Sequence, residues 1–215
     1  MKIVSIILAR GGSKGIPNKN IIDICGKPMI YYSIYASQSA NIDSTYVSTD
    51  SKQIAMISEK YGAKIIKRPA DISTDTSSSE EALLHFCKNV NFDIMIFIQP
   101  TSPLLLAEDL IKGINIIKSG QATSVFSVYK EHWIPRWNLD IKPINWNPQS
   151  RPRRQDMPEQ YVENGAFYIT TRDRLLSSQL RYSGQIGIYE MPFSRSIQLD
   201  NKDDLKVIKA MLKNR

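Results

Sequence analysis

The run Leu8-Ala9-Arg10-Gly11-Gly12-Ser13-Lys14-Gly15-Ile16-Pro17-Asn18-Lys19-Asn20 gathers the residue types that hold an anion. Glycines let backbone N–H groups approach a charged oxygen, and Arg10, Lys14 and Lys19 supply countercharge. The spacing matches neither G-x-x-x-x-G-K-[ST] nor G-x-G-x-x-G, the two commonest phosphate-binding patterns. A nucleoside triphosphate held by another kind of loop is the chemistry these residues suit. The plainer alternative is a glycine turn with solvated lysines. Three cations and Asn20 packed around the glycines argue against it.

Such a loop needs a rigid element in front of it, and Ile3-Val4-Ser5-Ile6-Ile7-Leu8 reads as a buried strand. Strands and helices then alternate. Helices are predicted over 28–40, 51–61, 78–88 and 107–119, and strands over 45–48, 64–66, 94–98 and 123–128. Gly62 stops the second helix, and Glu80 and Glu81 sit favourably in the first turn of the third. The apolar run Ile94–Ile98 is a central parallel strand. This rhythm predicts a Rossmann-like α/β fold, a mostly parallel sheet with helices on both faces, whose ligands lie beyond the carboxyl ends of the strands. The Gly11 loop, Thr49-Asp50 and Gln99-Pro100-Thr101 can therefore converge. Further strands are expected at 166–169 and 186–189, and an amphipathic helix at 202–212.

Bulk properties limit the possibilities. The 215 residues suit one domain over 1–215, and 42% hydrophobic with 23% charged residues is ordinary for a globular protein. No apolar run can span a bilayer, no signal-peptide pattern opens the chain, and two cysteines make no disulfide framework, so a cytoplasmic protein without membrane partners is expected. The net charge of +7 fits either a nucleic-acid surface or a site for small polyanions. Arg151-Pro152-Arg153-Arg154 is the one basic cluster, and no nucleic-acid motif accompanies it. Neither His85 and His132 nor Cys25 and Cys87 show nucleophile or zinc spacing, so no covalent intermediate and no zinc are expected. Between Lys130 and Glu159 the rhythm breaks around Trp133, Trp137, Trp146 and a scatter of prolines. Residues 130–160 read as an excursion that reaches a partner subunit; the alternative is a surface loop.

Several separated motifs also agree with one family. Leu8 to Gly15 with Asn18-Lys19-Asn20 resembles the nucleotide loop of the N-acylneuraminate cytidylyltransferases, or CMP-sialic acid synthetases. Val47-Ser48-Thr49-Asp50-Ser51 looks like the family's second strand end, and Arg68-Pro69-Ala70 with Asp75-Thr76-Ser77-Ser78-Ser79 like its base-recognition segment. Gln99-Pro100-Thr101-Ser102-Pro103-Leu104 looks like its sugar-side turn. Arg153 to Pro158 and Glu163 to Ile169 look like its late segment. The resemblance implies attack by the anomeric hydroxyl of a 2-keto-3-deoxy nonulosonic acid (sialic, legionaminic or related) on the α-phosphate of CTP. Mg²⁺ assists, and the products are a CMP-sugar and pyrophosphate. It also implies a homodimer whose excursion reaches the neighbouring site, and a role in surface-glycan biosynthesis.

Residue roles follow from the resemblance together with the chemistry. Arg10, Ser13, Lys14 and the amides of Gly11 and Gly12 should hold the triphosphate, and Lys19 should sit near the α-phosphate. Asn20 looks like a nucleotide contact, and Arg68 and Ser79 look like cytosine readers; by residue type alone they read as a surface charge and a helix cap. Gln99, Arg154, Asn164 and Tyr168 fall on the sugar-acid side, with Arg154 suited to the carboxylate and Tyr168 equally readable as core. Gln160, Arg181 and Tyr182 are candidates for reading the acid's substituents. The family's late Asp-hydrophobic-Asp appears here as Gln198-Leu199-Asp200. Asp200 is the expected metal ligand and Gln198 a doubtful one, since it brings no charge. That substitution leaves a second reading, a nucleotide-binding homologue with impaired turnover. Nucleic-acid binding is a third.

Overall fold

The structure is a computed structural model, and it describes residues 1–13 and 15–214. A seven-stranded sheet forms the centre. Its strands are β1 (Ile3–Leu8), β2 (Ser44–Thr49), β3 (Lys64–Lys67), β4 (Ile94–Ile98), β5 (Ser124–Glu131), β6 (Gln160–Thr171) and β7 (Ile186–Glu190). They lie in the order β7-β5-β6-β4-β1-β2-β3. Every pairing is parallel except those of β6, which runs antiparallel to both β4 and β5. Six helices accompany them among the described residues: α1 (Met29–Ser39), α2 (Lys52–Lys60), α3 (Ser79–Asn89), α4 (Ala107–Lys118), α5 (Arg172–Ser178) and α6 (Lys202–Lys213). None is long and apolar enough to cross a membrane.

Both faces of the sheet are covered, so successive residues of a central strand enter different cores. Ile3 and Ile7 of β1 join Ile96 and Ile98 of β4 under Ile30, Ile34, Leu110 and Ile114. Val4, Ile6, Met95 and Phe97 face the other way, against Leu83, Phe86 and Leu175. The buried hydroxyls of Ser5, Ser37 and Thr45 bond in series at 2.6 Å per step and tie α1 to β1 and β2. Gly113 lets α4 press onto β6, because a Cβ there would lie 2.8 Å from Ile169 Cδ1 and Phe167 Cε2.

A third cluster, Ile16, Ile24, Met29, Leu104, Leu199 and Ile208, packs α6 and the 23–28 ribbon beneath the loops. Its α6 begins at a capping box of Asn201 and Asp204, so Asp203 and Asp204 serve the helix terminus. The excursion is ordered around a short ribbon, Arg136–Trp137 against Pro143–Ile144. The rings of Trp133 and Trp137 each meet Trp146 edge-on, and Arg151 lies over Trp146.

Candidate active site

The ends of β1 and β4, the 68–78 segment and the start of α3 enclose a cavity of about 390 Å³. This is where an open parallel sheet presents its ligand crevice. Arg10, Lys19 and Arg68 supply its cations, Ser13 and Asn20 its near wall, and Ser77, Ser78 and Ser79 its far wall. Gln99 and Thr101 enter from the end of β4, and Phe97 forms part of the floor. Lys14, expected among these residues, lies outside the described ones.

Each cation is placed by a distinct contact. Arg68 is 7% exposed, and its Nε and Nη2 donate to Ser48 Oγ (3.0 Å) and Ser48 O (2.8 Å). Burial pushes its pKa below the ordinary arginine value, partly countered by Asp50. The rest of its planar donor fork is left for a ligand. Arg68 is thus no surface charge, the role its residue type alone suggests. Arg10 reaches across the cavity mouth, where Nη1 donates to Thr74 O (2.9 Å) and pairs with Asp75 Oδ1 (2.7 Å). Lys19 Nζ meets Asp200 Oδ1 at 3.2 Å, which joins two groups separated by most of the chain.

Other expected contact residues also have partners within the protein. The Gly11 amide donates to Asp50 Oδ1 at 2.9 Å, which braces the loop against the residue that follows β2. Asn20 is 6% exposed and gives Nδ2 to Arg10 O (3.0 Å), which shapes the loop from within. The cap of α3 is Ser78, in a reciprocal box with Glu81, and Ser79 is the first helical residue at the cavity wall.

On the sugar-acid side, only Gln99 of the four expected residues lines this cavity. Asn164 is 4% exposed with its amide committed: Oδ1 accepts from Ser127 Oγ (2.6 Å) and Ala166 N (3.1 Å), and Nδ2 donates to Ser196 Oγ (2.9 Å). Tyr168 stacks on Phe97 (5.5 Å, 19°) and donates to Glu163 Oε1. Burial and that bond raise its pKa above the ordinary value. Tyr168 therefore supports the floor from behind. Arg154 lies on the excursion, in a separate groove with His132 and Trp133. The excursion carries its own short ribbon and packs on its own tryptophans.

Two supports were not read as such from the sequence. Arg181 forms a bidentate pair with Glu80 of α3 (2.6 and 2.8 Å) and lies over the rings of Phe97 and Tyr168. Asp109, 1% exposed at the start of α4, accepts from Leu106 N, Tyr189 Oη and both Nη atoms of Arg195. That pair anchors the arm 196–200, where Leu199 is buried and its N–H donates to Thr101 O (2.8 Å). Charged residues more than eighty positions apart give no local signal of such pairing.

For a magnesium ion, the described residues contain no group of three or more His, Cys, Asp or Glu that could form a cage. Magnesium at nucleotide sites takes one or two carboxylates with phosphate oxygens and waters. Asp200, exposed and paired with the cavity-lining Lys19, fits that requirement. Gln198 brings no charge, and its Nε2 is engaged, donating to Asn164 O and lying 3.4 Å from Gln99 Oε1.

A cationic cavity at the carboxyl ends of parallel strands defines an α/β protein with a site suited to a polyanion. A model of the cytidylyltransferase family matches residues 4–211, and the chain belongs to that family. It is 39% identical over 204 residues to N-acylneuraminate cytidylyltransferase B of Danio rerio, covering 91% of this chain and 48% of that protein. Post-translational flagellin modification protein B of Campylobacter coli is 30% identical and is matched over 96% of its length by the whole of this chain. The chain thus spans about half the length of the zebrafish relative. The fold resembles that of a CMP:2-keto-3-deoxy-manno-octonic acid synthetase solved with CTP, at a TM-score of 0.75, 21% identity and nearly full coverage of both chains.

Proposed function

We propose that the chain transfers the cytidylyl group of CTP to the anomeric hydroxyl of a nonulosonic acid, with release of pyrophosphate. The observation that carries this is the cavity itself, with Arg10, Lys19 and Arg68 around a glycine loop in a member of the cytidylyltransferase family. The names of the relatives supply the acceptor class. In the reaction the sugar oxygen bonds to the α-phosphorus as the bond to the β,γ-diphosphate breaks, pyrophosphate leaves, and the hydroxyl proton is released to solvent. The enzyme contributes position and charge neutralisation.

Arg68, fixed on Ser48, addresses cytosine O2 and N3, which accept hydrogen bonds. Arg10 exchanges Asp75 for the triphosphate. Lys19 leaves Asp200 for the α-phosphate, where charge redistributes in the transition state. Magnesium would be held by Asp200 with the phosphates, and would supply further neutralisation of the diphosphate leaving group. Gln99 contacts the acid at the end of β4.

The excursion supports a homodimer. Leu139 and Ile141 are 103% and 80% exposed, and Trp137 and Ile144 lie beside them on the same ribbon. Exposed apolar side chains gathered on one short ribbon suit an interface. In this reading the excursion of a second copy, with its Arg154, is the segment that meets the neighbour's acid. Nucleic-acid binding finds less support, because Arg153 is paired with Asp156 and Arg151 lies on Trp146.

The test is pyrophosphate release from CTP with Mg²⁺ and a panel of nonulosonic acids. Release that requires one acid is the expected result. Tight CTP binding without release under any acid would favour the impaired homologue instead.

A further inference from the structure

We infer that Gln198 is a positioning residue for Gln99, an obligatory hydrogen-bond donor rather than a substitute metal ligand. This rests on the cytidylyltransfer reading, in which Gln99 meets the sugar acid. The cradle around Gln198 is made of acceptors. Its Nε2 donates to the backbone carbonyl of Asn164 and lies 3.4 Å from Gln99 Oε1. A backbone carbonyl can only accept, so the group aimed at it must carry hydrogen. This fixes which end of the Gln198 amide points inward, and that end then offers Gln99 a donor.

The backbone is shaped for this contact. The β5–β6 register shifts between Glu163 and Tyr168, and Gly165 within that irregularity has φ +67°. A Cβ on Gly165 would stand 2.2 Å from Gln198 Nε2 and 2.9 Å from Gln99 Oε1. The glycine therefore opens the space in which the two amides meet. Asn164 cannot move to relieve a misfit, since its side chain is bonded to Ser127, Ala166 and Ser196. Gln99 is held at its backbone too, with its N–H donating to Ala166 O at 3.1 Å. Only its side-chain direction is left to set, and Gln198 sets it.

A carboxylate at position 198 would face two oxygens with no hydrogen between them. Gln198→Glu keeps the shape and removes the donor; Gln198→Asp also draws the group back by one methylene. The arm therefore offers one carboxylate, Asp200, and gains nothing from a second at 198.

The experiment compares wild type with Gln198→Glu and Gln198→Asp in two ways. Steady-state kinetics should show the acid's KM raised roughly tenfold, the scale of one lost bond that leaves a partner unpaired. The KM for CTP should stay within about twofold, because the nucleotide cations share no partner with Gln198. Without substrates, both variants should melt below wild type, and Mg²⁺ should not restore them. Equal rises in both KM values would assign Gln198 a general structural role and overturn the inference. Variants that match wild type in melting and gain stability from Mg²⁺ that wild type lacks would make position 198 a metal site, and overturn it too. A wild type that turns over no acid would defeat the cytidylyltransfer reading instead, and the melting comparison would still decide whether 198 must donate.

Discussion

The Arg181–Glu80 pair is the most exacting test of how the cavity's far wall is held. Both side chains are about one-fifth exposed, at 22% and 21%, so their two short bonds are only partly screened. Arg181→Ala removes a bidentate, charge-assisted contact worth about 1.5–3 kcal/mol. It also removes a cation from two aromatic faces, worth about 0.5–1 kcal/mol in total at such exposure. A loss of about 3 kcal/mol lowers the melting temperature of a chain this size by about 6–12 °C. Because Glu80 begins the helix whose first residues line the cavity, the KM for CTP should rise as well.

The pH dependence carries a sign. The bond from Arg181 holds Glu80 below its ordinary value of 4.5. A depressed carboxylate contributes stability above its unfolded pKa and loses it as pH falls through the folded one. The melting gap between wild type and Arg181→Ala should therefore be full at pH 7 and should narrow in strongly acid solution, to the part the aromatic contacts supply. Calorimetry across that range is the assay. A variant within about 1 °C of wild type at pH 7, when about 6–12 °C is expected, would refute the pair's role. A gap that did not narrow in acid would refute its electrostatic origin.

Three further outcomes are expected. Lys19→Ala should cut kcat by about 10²–10³, equivalent to about 2.7–4 kcal/mol of transition-state stabilisation, in a pyrophosphate-release assay. Gly165→Ala should destabilise the protein and raise the KM for the acid, since its Cβ would overlap Gln198 and its φ is +67°; thermal melting and kinetics would both register this. Replacing Leu139 and Ile141 by Ser should shift sedimentation from dimer toward monomer while leaving the fold's circular dichroism intact.

The core was legible because both sheet faces are covered. The uninterrupted apolar run Ile94–Ile98 has no other use in a chain of this composition, and it is fully buried. Gly62 and Ser51 fixed the limits of α2 through local backbone and cap preferences. The direction of β6 was not legible, since the apolar residues Ala166 to Ile169 read alike along either direction. The seven-residue α5 escaped because it is short and buries only Leu175. At the site, Arg10 and Lys19 were legible from their crowding around glycines, Arg68 was not legible from residue type, and the partners of all three were hidden. Arg68 and Ser48, Lys19 and Asp200, and Arg181 and Glu80 meet only after the strands are ordered. The same distance in sequence hid the hydrogen-bond partners of Asn164, whereas core packing was already one of the two readings of Tyr168.

The most direct measurement is pyrophosphate release by wild type from CTP with Mg²⁺, run against separate nonulosonic acids and repeated with UTP and GTP. The cavity and the family predict release that requires both CTP and one particular acid, and that fails with Lys19→Ala. Absence of release with every acid, together with binding of CTP no tighter than of UTP or GTP, would contradict cytidylyl transfer by this chain.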